Sequence, residues 1–179
     1  LTNHGISYSD HDSFFQNAPI GAFRTTPQGT YVFANPALAR MYGYESPRHL
    51  MDDVTDIGAQ LYVDPRDREE FMRLLESQGQ VVNYECRQFR RDGSIFWSSR
   101  NAWVVYDHDS NTYYQGFTTD ITERKQTEAA FRESEERFRK VIEDISNIAV
   151  QGYDEDRIVT SWNSASEKLY GYSKEEAIG

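Results

Sequence analysis

A chain of 179 residues, 38% apolar and 14% aromatic, is long enough for one domain or two small ones and too rich in rings to read as disordered. Its net charge of −10 argues against nucleic acid or anionic membrane partners, which need clustered Lys and Arg. No apolar run of about 18 residues offers a membrane span, no signal peptide opens the chain, and the start at Leu1 implies an upstream segment. One cysteine, Cys86, forbids an internal disulfide and fits a reducing compartment, so a cytoplasmic location is expected. His4, His11, His49 and His108 include no pair at helical ligand spacing, and no metal site is expected.

In chain order, residues 9–18 read as a short amphipathic helix carrying Phe14 and Phe15. Residues 20–25 and 30–34 form a strand hairpin around Pro27-Gln28-Gly29, where Gly29 can take positive φ. Asn35-Pro36 supplies an N-cap and a first-turn proline for a helix through Tyr42. Ser46-Pro47 starts another helical piece. Asp64-Pro65 opens a longer helix with Phe71, Leu74 and Leu75 on one face, ended by Gly79. Three strands follow, at 81–89, 94–106 and 113–121, with an Asp92-Gly93 hairpin between the first two. Residues 107–111 turn into the last, and Asn111 there can tolerate the left-handed region. Two strands, several helices and three strands describe an α+β domain: one five-stranded antiparallel sheet with helices on one face.

Residues 123–144 contain no Gly or Pro and read as a long linker helix. Asp120-Ile121-Thr122-Glu123 has the form of a capping box at its start. Thr127, Phe131, Ser134, Phe138, Val141 and Ile145 alternate at spacings of four and three, a heptad seam that predicts a modest homodimer through the linker helix or the N-terminal segment. The chain also repeats itself. Tyr42-Gly43-Tyr44 recurs as Tyr170-Gly171-Tyr172, an offset of 128 at which Ile20 meets Ile148, Asn35 meets Asn163 and Ala37 meets Ala165. Asp156-Arg157 stands where the first copy has Gln28-Gly29. The second copy stops before its later strands, so its first strand lacks a neighbour and something outside the copy must order it: the same hairpin of another chain, or packing on the first domain.

Asn35-Pro36-Ala37, Tyr42-Gly43-Tyr44, Arg91-Asp92-Gly93-Ser94, Trp97 and Asp120-Ile121-Thr122-Glu123-Arg124-Lys125 together resemble a PAS domain with its C-terminal PAC segment. The resemblance divides the chain into an N-terminal segment (1–11), a PAS/PAC domain (12–121), a helical coiled-coil linker (122–145) and a truncated second PAS domain (146–179). It implies the PAS fold and a sensor that relays a small-molecule or redox signal along the linker helix to a downstream output domain, first a histidine kinase and otherwise a diguanylate cyclase. Relatives that form a flavin adduct need a cysteine in the helical region. Haem-binding relatives place a histidine on the long helix. Residues 64–80 contain no histidine and Cys86 falls on a strand, so neither haem nor a covalent flavin adduct is expected, and the cofactor stays unknown.

Strand alternation puts Phe96, Ser98, Arg100, Ala102 and Val104 on one face and Trp97 and Trp103 on the other. The resemblance turns the first set inward and makes Tyr84, Gln88, Ser98, Arg100 and Thr118 the candidate cavity residues. An inward Arg100 is costly unless paired. It receives a carboxylate or phosphate of a ligand, or it pairs with a local acid such as Asp52 or Asp53, or the faces are inverted; the last two together are preferred over the ligand. The Trp97 face needs cover from the Phe14/Phe15 helix or from a partner chain. No nucleophile–base set, Walker motif or glycine-rich phosphate loop is legible, so the fragment is not expected to be an enzyme. The competing functional reading is a ligand-free dimerisation module with a filled core.

Overall fold

The computed structural model describes residues 15–145 and 147–179, which divide into two compact units at Lys125/Gln126. His4, His11, Phe14 and the 1–11 segment lie outside the described residues. Residues 122–125, the start of the long helix, fall within the first unit.

The first unit is built on a five-stranded antiparallel sheet in the order β2-β1-β5-β4-β3. Strands β1 (Gly21–Thr25) and β2 (Tyr31–Ala34) form the first hairpin, with Gly29 at φ 85° in its turn. Four helices follow: α1 (Pro36–Met41), α2 (Pro47–Asp53), α3 (Ile57–Leu61) and α4 (Pro65–Gln78). Asn35, Ser46, Asp56 and Asp64 cap them by accepting from backbone N–H groups, and a proline follows the cap in all but α3. Gly79 closes α4 in the left-handed conformation. Strands β3 (Gln80–Phe89), β4 (Ile95–Tyr106) and β5 (Thr112–Asp120) complete the sheet, and β5 lies between β1 and β4.

Three local features depart from the sequence reading. Helix α3 is a single turn, too short to show periodicity. Strand β3 carries a bulge between Val81 and Tyr84, where Asn83 takes φ 53° and its N–H donates to Asn101 Oδ1 at 3.0 Å. In the 107–111 turn the left-handed residue is Ser110, at φ 63°, because Asp107 pins Asn111 through both its backbone and its side-chain N–H.

The sheet turns one face to the helices. Leu38, Leu50, Ile57, Phe71 and Leu75 close over Phe23, Phe96 and Ala102 to form the core. On the opposite face Phe15 stacks on Phe117 at 6.1 Å and Trp103 meets the same ring edge-on at 5.7 Å, so Phe15 supplies part of the expected cover.

Helix α5 (Thr122–Asp144) runs 23 residues. In the second unit, strands β6 (Gln151–Tyr153) and β7 (Val159–Trp162) form a hairpin, followed by helices α6 (Ser164–Tyr170) and α7 (Lys174–Ala177). Arg157 takes φ 69° where the first hairpin has Gly29. The end of α5 holds this piece: Asn163 Nδ2 donates to the carbonyls of Ile142 and Ile145, and Lys174 pairs with Glu143 at 3.0 Å. These contacts are ones the sequence reading did not name, since it looked to a neighbouring chain or to the first domain.

Candidate functional site

The predicted face assignment holds. Phe96, Ser98, Arg100 and Ala102 on β4, Gln88 on β3 and Thr118 on β5 are all buried toward the helices. Pairing across the sheet makes Arg100 the neighbour of Thr118 on one side and of Tyr84 on the other. Ser98 is satisfied by the Cys86 carbonyl at 3.3 Å. Tyr84 is half-buried at the margin, where its ring meets Phe71 at 5.4 Å and its hydroxyl donates to the Asp67 carbonyl at 2.9 Å.

Arg100 is 1% exposed. Its guanidinium lies over Phe71, Phe23 and Tyr62, at 4.8, 5.0 and 5.6 Å from the ring centroids, and Nη1 donates to the Tyr62 hydroxyl. The expected acid partner is absent: Asp52 pairs with Arg48 at 3.6 Å and Asp53 accepts from the Tyr44 hydroxyl at 2.9 Å. Both acids are thus engaged elsewhere. No carboxylate among the described residues forms an ion pair with Arg100. Arg100 Nε, Gln88 Nε2, Thr118 Oγ1 and the Tyr31 hydroxyl have no hydrogen-bond partner.

Burial works against the Arg100 charge, but a guanidinium does not lose its proton in a protein, so Arg100 stays charged; its pKa lies above the ordinary value through coupling to Tyr62, Tyr42 and Tyr31, which acts only where those phenols are ionised. Burial raises those phenols in turn, Tyr31 to about 12 and Tyr42 and Tyr62 above 10.0, so all three are neutral at physiological pH. Tyr42 spends its hydrogen on Gln88 Oε1 at 2.6 Å. Sequence reasoning missed these tyrosines and Phe23 as lining. Tyr42 was visible in the recurring Tyr-Gly-Tyr motif and Tyr62 behind the Asp56 cap, but neither carries a local sign that it faces Arg100.

The sheet meets α5 through a second cluster. Asp120 Oδ1 accepts from Thr122 N at 2.9 Å, the Asp120 half of the predicted cap, and Oδ2 accepts from Arg90 at 2.6 Å. Arg90 also donates to the Met41 carbonyl and covers Phe96 at 4.3 Å. Trp97 N–H donates to Thr122 Oγ1 at 3.0 Å, and Lys125, over the Trp97 ring, pairs with Glu85 at 2.6 Å.

The PAS domain family matches residues 19–123 and again residues 145–179. The chain is similar to the bacterioopsin transcriptional activator of Halobacterium salinarum, at 26% identity over 80% of this chain and 23% of the relative. It is similar to the sensor histidine kinase TmoS of Ectopseudomonas mendocina, at 24% identity over 71% and 13%. It is also similar to the sensor protein FixL of Bradyrhizobium diazoefficiens, at 27% identity over 65% and 24%. The chain thus spans about a quarter or less of the length of these relatives. Among solved structures, an RNA-binding light-oxygen-voltage receptor has a TM-score of 0.58 at 24% identity, over 76% of this chain and 40% of that one. The PAS domain of a Colwellia psychrerythraea protein has 0.55 at 23% identity, over 64% and 97%. At these identities the likeness is one of fold.

Proposed function

Since the chain belongs to the PAS domain family, we propose that it is the sensory part of a longer signalling protein, passing a small-molecule or redox signal through α5 to a downstream output domain. A histidine kinase is the first candidate for that output and a diguanylate cyclase the second; the fragment itself performs no catalysis. In this reading residues 146–179 open a second PAS domain. The single cysteine supports a cytoplasmic location in this reading, and no helix among the described residues is long and apolar enough to cross a membrane.

The observation that carries the reading is the junction of β5 with α5. Thr118 faces the interior, and two residues later Asp120 ties Arg90 to the first turn of the helix. A displacement of β5 therefore has a short polar path into α5. A second reading, a ligand-free dimerisation module, draws on Phe131 and Phe138, which stand 65% and 69% exposed on that helix.

The test is an insertion into α5 of the longer protein. One residue added after Thr127 rotates everything downstream by about 100°, whereas seven restore the heptad phase. The reading expects the first insertion to change phosphoryl transfer from ATP by the output domain, and the second to restore it. Output indifferent to the one-residue insertion would show that α5 carries no signal.

A further inference from the structure

We propose that the interior around Arg100 is a binding site for a small monocarboxylate. This rests on the sensory reading above and names the class of its signal.

The argument starts from charge. A guanidinium removed from water needs an opposite charge or a full set of hydrogen bonds. Arg100 has one bond, to Tyr62, and three ring faces. The phenols nearest it are neutral, so they do not balance it. Cys86, the other titratable group of this face, has its thiol pKa raised by burial and is neutral as well.

The unpartnered atoms define the missing group. Arg100 Nε and Gln88 Nε2 only donate, and the Thr118 and Tyr31 hydroxyls can donate. A set dominated by donors around a fixed positive charge repels a cation and calls for an acceptor-only group, which a carboxylate is. The charge count favours a monoanion, since a phosphate dianion would bury one negative charge without a partner. Nη1 is taken by Tyr62, which leaves the Nε edge of the guanidinium for a carboxylate oxygen. Phe23, Phe71 and Tyr62, the rings that the guanidinium covers, make its surroundings apolar, which suits the organic part of a small acid better than an inorganic anion. Thr118, the cross-strand neighbour of Arg100, would report occupancy to Asp120 along the same strand.

The test is thermal melting of this chain in chloride buffer with added acetate, benzoate, inorganic phosphate, or benzamide as the neutral analogue of benzoate. A carboxylate is expected to raise Tm progressively with concentration, as a ligand of the native state does, while benzamide and phosphate do not. Arg100→Met, which removes an uncompensated charge and keeps an apolar stem, is expected to melt at or above wild type without carboxylate and to show no response to it. The proposal is overturned if neither acetate nor benzoate shifts wild type, which would leave water as the partner of these atoms. A response to phosphate instead would overturn the monocarboxylate class. Arg100→Met melting below wild type in chloride alone would make Arg100 a structural residue. A carboxylate that binds yet leaves amide exchange in 122–144 unchanged would refute the relay and leave the site standing.

Discussion

Asn163 repeats, 128 residues on, the hydrogen bonds of Asn35. Asn35 Oδ1 accepts from Ala22 N and Leu38 N, each at 2.9 Å, while Nδ2 donates to the carbonyls of Ile20 and Phe15. Asn163 Oδ1 accepts from Val150 N and Ser166 N at 3.0 Å, and Nδ2 donates to the Ile148 carbonyl and to the end of α5. In each unit one amide caps a helix and closes the hairpin beside it.

That dual role predicts how Asn35 responds to substitution. Asn35→Ala removes a cap and buried bonds together and is expected to cost about 2–3 kcal/mol. Asn35→Asp preserves the acceptor for Leu38 but turns a carboxylate oxygen toward the Ile20 and Phe15 carbonyls, so it should cost at least as much. Urea titration separates the cases. Wild-type stability of Asn35→Asp would mean that only the cap matters.

Asp120 makes a pH prediction. Burial pushes its pKa up, but the bonds from Thr122 and Arg90 outweigh this and hold it below the ordinary 3.8. A group with a lowered folded pKa adds stability that is fully present above its unfolded value and lost as pH falls through the folded one. The stability gap between wild type and Asp120→Asn should therefore be constant from about pH 7 to 5 and close below about pH 4. A gap that stays open in acid would assign the cost of the substitution to something other than the carboxylate charge.

Much of the fold was legible because the decisive signals are local. Asn35-Pro36 and Asp64-Pro65 announce helix starts, and Gly29, Gly79 and Gly93 sit where φ is positive. Alternation along β4 turned Phe96, Ser98 and Arg100 inward. The surroundings of Arg100 were not legible, because they come from separate elements: Phe23 from β1, Tyr62 from the end of α3, Phe71 from α4. The Asn83 bulge was hidden for a similar reason, since it depends on Asn101 across the strand pair.

The exposed seam on α5 predicts self-association. Phe131, Phe138 and Val141 follow heptad spacing, and that spacing calls for a second helix of the same kind. Sedimentation is expected to show a weak dimer, and Phe138→Glu should shift it toward monomer by placing a charge in the seam. Equal dimerisation of both proteins would move the interface elsewhere.

Gly116 should be intolerant of any side chain. A Cβ there would lie 2.0 Å from the Asn101 carbonyl oxygen and 2.9 Å from Ala102 Cα, both backbone atoms of the paired strand. Gly116→Ala must push β4 from β5 and is expected to cost about 3 kcal/mol or more. At Gly93 a Cβ meets no atom within 4 Å, so Gly93→Ala carries only the strain of φ 81°, about 1–2 kcal/mol. Similar losses at the two sites in urea titration would contradict the close approach at Gly116.

Tyr42 and Tyr170 occupy equivalent positions with opposite environments. Tyr42 is fully buried, edge-on to Phe96 at 5.3 Å, and donates to Gln88 Oε1. Tyr170 is 51% exposed, and Tyr172 and Ile178 are likewise exposed where Tyr44 and Leu50 are buried. Gln88 comes from β3, a strand the second unit does not contain. Tyr42→Phe keeps the ring but leaves Gln88 Oε1 without its donor beside an already unpartnered Nε2, and should cost about 1–3 kcal/mol. Tyr170→Phe in this chain should cost nothing measurable. If residues 146–179 open a second PAS domain, a longer chain that supplies the later strands will bury Tyr170, and the same substitution will there acquire a cost like that of Tyr42→Phe. Urea titrations of the four variants, two in each chain length, decide it: a Tyr170→Phe that stays silent in the longer chain would mean that the repeat ends with the local hairpin and helix.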